Sequence, residues 1–142
     1  MVSGAAPPPT GVSASIDGVA WTAVSINASF TNGRLTVGGT NPVWSVSFSV
    51  FPTGPGTYPV PAAGPSFAFL LSNANPQPGR PVPEWQTSDT PGVGGGGGSI
   101  TVTSLTATGA TGMFSFTLGP YLFTGATGNK SILGGVFNVT FH

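Results

Sequence analysis

The segment VWSVSFSVF, residues 43–51, alternates apolar and hydroxyl side chains with a period of two residues. This is the period of a β-strand, in which successive side chains point to opposite faces of a sheet. The expected buried face holds Trp44, Val46, Phe48 and Val50, and the expected outer face holds Ser45, Ser47 and Ser49. The segment therefore predicts a half-buried antiparallel strand whose outer face carries no charge to block sideways pairing.

Strand-like segments of this kind continue in both directions, separated by Gly, Pro and Asn. Asp17-Gly18 and Thr31-Asn32-Gly33 lie between such segments and predict hairpin turns. Toward the C-terminus the expected inward residues are Ile100, Val102, Phe114, Phe116, Leu118, Phe137, Val139 and Phe141. We find no amphipathic helix pattern of useful length. The expected fold is all-β: a single antiparallel β-sandwich or flattened barrel of about eight or nine strands.

The 142 residues are the length of one domain. Residues 1–12 predict a proline-rich N-terminal arm, since Pro7, Pro8 and Pro9 favour polyproline II and cannot join a sheet interior. Residues 13–142 predict the β-sandwich domain. Within it, residues 72–98 are rich in Pro and Gly and predict one long loop.

That loop ends in five consecutive glycines, residues 94–98, placed directly before the strand-like segment SITVTSL. They do not form a phosphate-binding loop, because no Lys-Ser/Thr pair follows and the chain continues as a strand rather than a helix. Glycine also permits close approach of another backbone. We therefore interpret Gly94 and Gly96 as candidate contacts with a protein partner.

Charged residues form 4% of the chain, against about 25% in ordinary globular proteins. Three basic and three acidic residues give zero net charge. A surface this neutral has little field with which to attract nucleic acid or anionic lipid. No segment reaches the length of a transmembrane span, and the N-terminus lacks a secretory signal pattern. The predicted partners are therefore proteins, with peripheral placement on a membrane complex left open.

The side chains needed for catalysis are scarce. There is no cysteine, and the single histidine, His142, is the terminal residue, where fraying makes a poor general base. Asp17 is explained by its turn, which leaves Glu84 and Asp89 in the long loop as the remaining carboxylates. The sequence thus predicts no enzymatic activity, no metal site and no cofactor.

Four segments carry a family resemblance: SIDGVAWTA (15–23), PGTYPV (55–60), SITVTSLTATGATGMFSFTL (99–118) and SILGGVFNVTF (131–141). They resemble the successive segments of a family of small bacterial all-β domains of unknown function, commonly found behind lipoprotein signals in envelope proteins. The resemblance implies an all-β fold and an envelope setting, and it implies no catalytic residues. No lipoprotein cysteine is present at the start of this chain.

The expected function is that of a structural accessory subunit, which docks on a larger assembly through its arm and long loop. Trp85 is the candidate anchor, because an aromatic side chain near Arg80 in a loop has the composition of a binding hot spot. The predicted partner-binding residues are Pro7, Pro8, Pro9, Arg80, Trp85, Gly94 and Gly96. A membrane-associated complex in the bacterial envelope is favoured, and a virion is the other setting.

A second function stays open, that of an extracellular carbohydrate-binding module. Such modules stack sugar rings on exposed aromatic side chains, and Trp85 is the ring that the sequence leaves outside the expected core. A glycan is therefore the alternative partner.

Overall fold

The computed structural model describes residues 11–60, 67–73, 83–87, 96–120, 126 and 128–141. Within these ranges every regular element is a β-strand and no helix occurs, so the all-β prediction is confirmed. The strands are β1 (Gly11–Ile16), β2 (Val19–Thr22), β3 (Ser25–Thr31), β4 (Arg34–Thr40), β5 (Trp44–Val50), β6 (Gly56–Val60), β7 (Phe67–Ser72), β8 (Glu84–Gln86), β9 (Gly96–Leu105), β10 (Gly109–Pro120) and β11 (Lys130–Thr140).

Nine of these strands form one antiparallel path in the order β2-β1-β11-β10-β8-β7-β5-β4-β3, which curls into a half-barrel. β9 extends the sheet beyond β10, and β6 extends it beyond β9. We call β2, β1, β11, β10, β9 and β6 the six-strand layer, and β8, β7, β5, β4 and β3 the five-strand layer. The C-terminal end of β10 joins the layers, because Gly119 and Pro120 pair with β8.

The path begins and ends with strands that are neighbours in sequence, β2 and β3. The two residues between them are fixed by backbone hydrogen bonds: Ala23 N donates to Val12 O at 2.9 Å, and Val24 N donates to Thr40 O at 2.8 Å. Ala23 thus binds to the six-strand layer and Val24 to the five-strand layer. The short connection holds the two layers together at this end of the sheet.

The buried faces of the two layers meet at Phe48 of β5. Its ring centroid lies 5.0 Å from that of Phe114, 5.8 Å from that of Phe116 and 5.5 Å from that of Phe137. These contacts are within the range in which aromatic pairs stabilise a core beyond the effect of area burial. Phe48 was predicted on the buried face of its strand, and it is 1% exposed.

Glycines lie opposite the phenylalanines of the six-strand layer. The cross-strand pairs are Gly112 with Phe137, Gly135 with Phe114, and Gly98 with Phe116. A Cβ on Gly112 would lie 2.6 Å from Cζ of Phe137, and one on Gly135 would overlap the Phe114 ring. Each ring therefore covers the bare backbone of its partner strand, as in aromatic rescue of sheet glycines.

Both predicted hairpin turns are present. Asp17 and Gly18 have φ of 50° and 84°, and Asn32 and Gly33 have φ of 55° and 79°. Positive φ at both central residues is the signature of the turn that matches the twist of paired strands. The first turn joins β1 to β2, and the second joins β3 to β4.

The segment boundaries differ from the predictions in two places. Gly11 and Val12, the last residues of the predicted arm, pair with Asn138 and Phe137 in β11 because Val12 is a core residue, 2% exposed. The predicted loop 72–98 begins with a residue of β7, contains β8, and ends with residues of β9. β8 escaped sequence analysis because three residues are too few to show a period of two.

The glycine–phenylalanine pairs predict a specific cost of adding one methyl group. We expect Gly135→Ala to lower the free energy of unfolding by about 1–3 kcal/mol, since its Cβ would overlap the Phe114 ring. Gly38→Ala is the matched control, because a Cβ there would first meet Ser47 Oγ at 3.7 Å, an ordinary contact. Urea unfolding measures both variants, and equal stabilities would contradict this packing.

Candidate functional site

The outer surface of the six-strand layer is dominated by hydroxyl side chains. They come from all six strands and alternate with the buried residues of the core. We call this surface the hydroxyl face; its members are Ser13, Ser15, Thr22, Thr57, Ser99, Thr101, Thr103, Thr111, Ser115, Thr117 and Ser131. Their side chains can both donate and accept hydrogen bonds, so the face can match neutral polar groups of either kind.

Several of these hydroxyls are held in place by one another. Thr57 Oγ1 lies 3.0 Å from Thr101 Oγ1, and Thr103 Oγ1 lies 2.8 Å from Thr111 Oγ1. The pairs join neighbouring strands, β6 to β9 and β9 to β10. Side chains that are already restrained lose less conformational entropy when a partner covers them.

Three apolar side chains stand out in the middle of the hydroxyl face. Met113 is 51% exposed, Leu133 is 55% exposed and Val136 is 51% exposed. Met113 and Val136 are direct cross-strand partners, and Leu133 precedes them on the outer side of β11. We call these three residues the apolar centre. A cluster of exposed apolar side chains within a polar surround is typical of an interaction surface.

A bulge in β11 shapes the surface around the apolar centre. The β10–β11 register shifts between Phe114 and Phe116, and Gly134 has a φ of 60°. Gly134 lines two neighbouring depressions, one of about 360 Å³ that includes Met113 and Val136, and one of about 430 Å³ that includes Leu133. β-Bulges commonly redirect side chains at functional positions of a sheet, and this one exposes Leu133 between the depressions.

The charged residues that the structure describes lie on the five-strand layer or at one end of the hydroxyl face. Arg34 precedes the buried Leu35, and Glu84 precedes the buried Trp85. Because side chains alternate along a strand, both charged residues point to the outer surface of the five-strand layer. Asp17 and Lys130 form an ion pair of 3.0 Å at the β1–β2 turn. Burial raises the pKa of Glu84. The part of the hydroxyl face around the apolar centre therefore carries no charge among the described residues.

Trp85, the predicted anchor, is a core residue, and the prediction of an exposed ring is wrong. It is 5% exposed, and its Nε1 donates to Gly128 O at 2.9 Å. Its ring contacts that of Trp44 edge-on with centroids 5.7 Å apart. β8 produces this burial, because it inserts between β7 and β10 and turns Trp85 inward.

Lys130 covers the tryptophan pair from the β11 side. Its Nζ lies 5.1 Å from the Trp85 ring centroid and 5.6 Å from that of Trp44, which is cation–π geometry. Because Lys130 also pairs with Asp17, one side chain connects the tryptophans to the first hairpin. This cluster joins the two layers and is structural.

The other predicted partner-binding residues are mostly outside the described ranges. These are Pro7, Pro8, Pro9, Arg80 and Gly94. Gly96 is the first residue of β9 and pairs with Leu118, so it belongs to the sheet.

Sequence reasoning missed the apolar centre, although one signal was available. In GMFSFTL the inward residues were correctly assigned as Phe114, Phe116 and Leu118, which places Met113 on the outer face. Leu133 and Val136 gave no such signal, because the bulge between them interrupts the alternation. The pattern that indicates such a site is an apolar residue at an outward position of a strand whose buried residues are already assigned.

Two further findings concern the described residues alone. Within them no three His, Cys, Asp or Glu side chains are grouped so that they could hold a metal ion. The same part of the chain contains no helix long and apolar enough to cross a membrane.

Asp17 provides a prediction on pH dependence. Its Oδ1 accepts a hydrogen bond from Ser131 N at 2.9 Å, and this bond, together with Lys130, lowers the pKa of the carboxyl despite partial burial. A lowered pKa in the folded state stabilises the fold above the unfolded value of about 3.9, and this stabilisation is lost as the pH falls through the folded pKa.

We therefore expect Asp17→Asn to reduce stability at pH 7 by less than about 1 kcal/mol, since the ion pair is partly exposed. Asn keeps the preference for the turn, which isolates the effect of charge. Thermal unfolding at several pH values should show the difference shrinking toward zero as the pH falls through the folded pKa of Asp17. A difference that is constant with pH would mean that the Asp17 charge is not involved.

The sequence resemblance predicted a family of all-β domains without an assigned activity. Comparison with curated proteins found no match, and comparison with solved structures found none. Comparison with protein families found a match over residues 9–139 to the family described as Domain of unknown function (DUF6252). Because the match covers nearly the whole chain, this protein belongs to the DUF6252 family.

Proposed function

We propose that this chain is a non-enzymatic accessory subunit that docks on a larger protein assembly through its hydroxyl face. The observation that supports this most directly is the apolar centre: Met113, Leu133 and Val136 are each more than half exposed within an uncharged surface. Covering them would remove apolar area from water, the main favourable term in protein association. The surrounding Ser and Thr side chains form the polar rim.

The chemistry of the face defines the partner. A strongly charged surface would lose hydration on contact without gaining an opposite charge, because the described charges of this chain lie elsewhere. The matching surface is therefore a neutral protein surface. It would place an apolar side chain in each depression beside Gly134 and offer amide or hydroxyl groups to the rim.

The assembly is proposed to be a membrane-associated complex of the bacterial envelope, with a virion as the other setting. The support for the envelope is the sequence resemblance. The arm and Arg80 remain proposed as additional contacts, while Trp85 is removed from the set because it is buried.

The carbohydrate-binding alternative has less support. It requires exposed rings, yet Trp21 is 3% exposed and Trp85 is 5% exposed. Tyr58 is half-buried, and its hydroxyl donates to Gly54 O at 2.5 Å. Among the described residues the tryptophan and tyrosine side chains that could form a sugar platform are thus largely engaged in the fold.

The test is a charge placed in the apolar centre. We expect Val136→Lys to weaken binding to the native assembly about tenfold or more, because a buried lysine would be left without a partner. Val43→Lys is the matched control: Val43 is 48% exposed, directly precedes β5 of the five-strand layer and is not a member of the hydroxyl face. Tagged chains are purified under mild conditions, and the co-migrating subunits are identified and quantified by mass spectrometry.

Equal recovery of partner subunits with both lysine variants would exclude the hydroxyl face as the docking surface. A native chain recovered without any other subunit, whether as a monomer or as a dimer of itself, would exclude the accessory-subunit function itself. Binding of glycans by that free chain would then establish the alternative.

A further inference from the structure

β3 is an edge strand with unusually little protection against pairing. In the described part of the chain it pairs with β4 alone, in regular register over all seven residues. Natural edge strands are commonly blocked by Lys, Pro, a bulge or short length. The edge strand β6 carries Pro59, whereas β3, with the sequence SINASFT, has none of these features.

The turn after β3 determines which backbone groups face the free edge. Asn32 and Gly33 form a two-residue hairpin turn, so Thr31 and Arg34 make a hydrogen-bonded pair. Hydrogen-bonded pairs alternate along an antiparallel ladder, so Asn27 and Ser29 also direct their backbone groups to β4. The N–H and C=O groups of Ile26, Ala28 and Phe30 therefore point to the free edge.

We propose that β3 pairs with β3 of a second copy of this chain, antiparallel and centred on Ala28. Around that two-fold axis Ala28 faces itself and Ile26 faces Phe30 of the second copy. The three free residues of each strand would exchange about six backbone hydrogen bonds. The five-strand layers of the two copies would then form one continuous sheet. This surface is separate from the hydroxyl face, and the inference does not rest on the proposed function.

Two observations favour a second copy as the occupant, and a third favours the register centred on Ala28. β3 holds no charged residue, so two copies can meet without repulsion between like charges. Ile26 and Phe30 form apolar cross-strand pairs in this register, and Phe30 is 37% exposed before pairing. If the two-fold axis passed through Asn27, Phe30 would lie opposite Val24 of the second copy. The Val24 amide already donates to Thr40 O, so it could not form a hydrogen bond across the interface.

The first experiment uses charge at the outward positions Asn27 and Ser29, which face each other across the proposed axis. The native chain is expected to show a concentration-dependent monomer–dimer equilibrium in analytical ultracentrifugation. Asn27→Lys with Ser29→Lys places like charges opposite each other and should raise the dimer Kd about tenfold. Asn27→Lys with Ser29→Glu is the matched control, which places opposite charges together and should retain the dimer.

The second experiment tests the register by oxidation of introduced cysteines, which are unambiguous because the chain has none of its own. The double variant Asn27→Cys with Ser29→Cys should form a covalent dimer, and each single variant should not. If the Asn27→Cys single variant formed a covalent dimer, the two Asn27 positions would have to face each other, and the axis at Ala28 would be wrong. A native chain that remains monomeric at all concentrations, or equal Kd values for the two charge variants, would overturn the pairing itself.

A variant of the apolar centre separates this inference from the docking proposal. Val136→Lys leaves β3 unchanged, so it should dimerise with the native Kd. Loss of the dimer in that variant would mean that the chain self-associates through the hydroxyl face, and it would contradict pairing through β3.

Discussion

The contact of Phe48 with three phenylalanines of the opposite layer is the interaction on which the rest of the structure depends. Those rings, together with the backbone carbonyls of Thr101 and Ser115, leave no room for a Cβ on the strands beside them. Glycine occupies the opposing positions 98, 112 and 135. Close approach of backbone and ring therefore links the glycine content of the chain to its core. Three residues of the five-glycine run, Gly96, Gly97 and Gly98, lie in β9, and Gly98 is the one placed beside Phe116.

With the apolar side chains of both layers turned inward, solubility depends on the outer faces. A chain with 4% charged residues cannot rely on charge, and hydroxyl side chains take that role on the six-strand layer. On the five-strand layer Arg34 folds over its own face, where Nε donates to Ser49 Oγ at 3.2 Å and the guanidinium lies above the Phe67 ring. Ser49 points outward as predicted, yet it is fully covered by these neighbours. The two outer surfaces thus differ in kind.

Local alternation was enough to predict the longer strands and their buried faces, as Trp44–Val50 shows. The turn sequences Asp17-Gly18 and Thr31-Asn32-Gly33 were enough to predict hairpins. The position of Trp85 could not be read in this way. Its neighbours in sequence are polar, but its neighbours in space are Trp44 and Lys130, which other strands supply. The same holds for the apolar centre, because Met113 and Val136 meet only through the β10–β11 register. Sites formed by cross-strand pairing cannot be recognised from any single segment of the sequence.

Neutrality is the property that the two candidate sheet surfaces share in the described part of the chain. Charge normally keeps both the faces and the edges of a sheet apart from other molecules. Where charge is absent, an apolar centre within a hydroxyl rim can make a sheet face selective for one partner. The register of the free backbone groups can make a sheet edge selective in the same way. The face suits a different protein, because its two depressions require protruding side chains. The edge suits a second copy, because an antiparallel strand is complementary to itself about a two-fold axis.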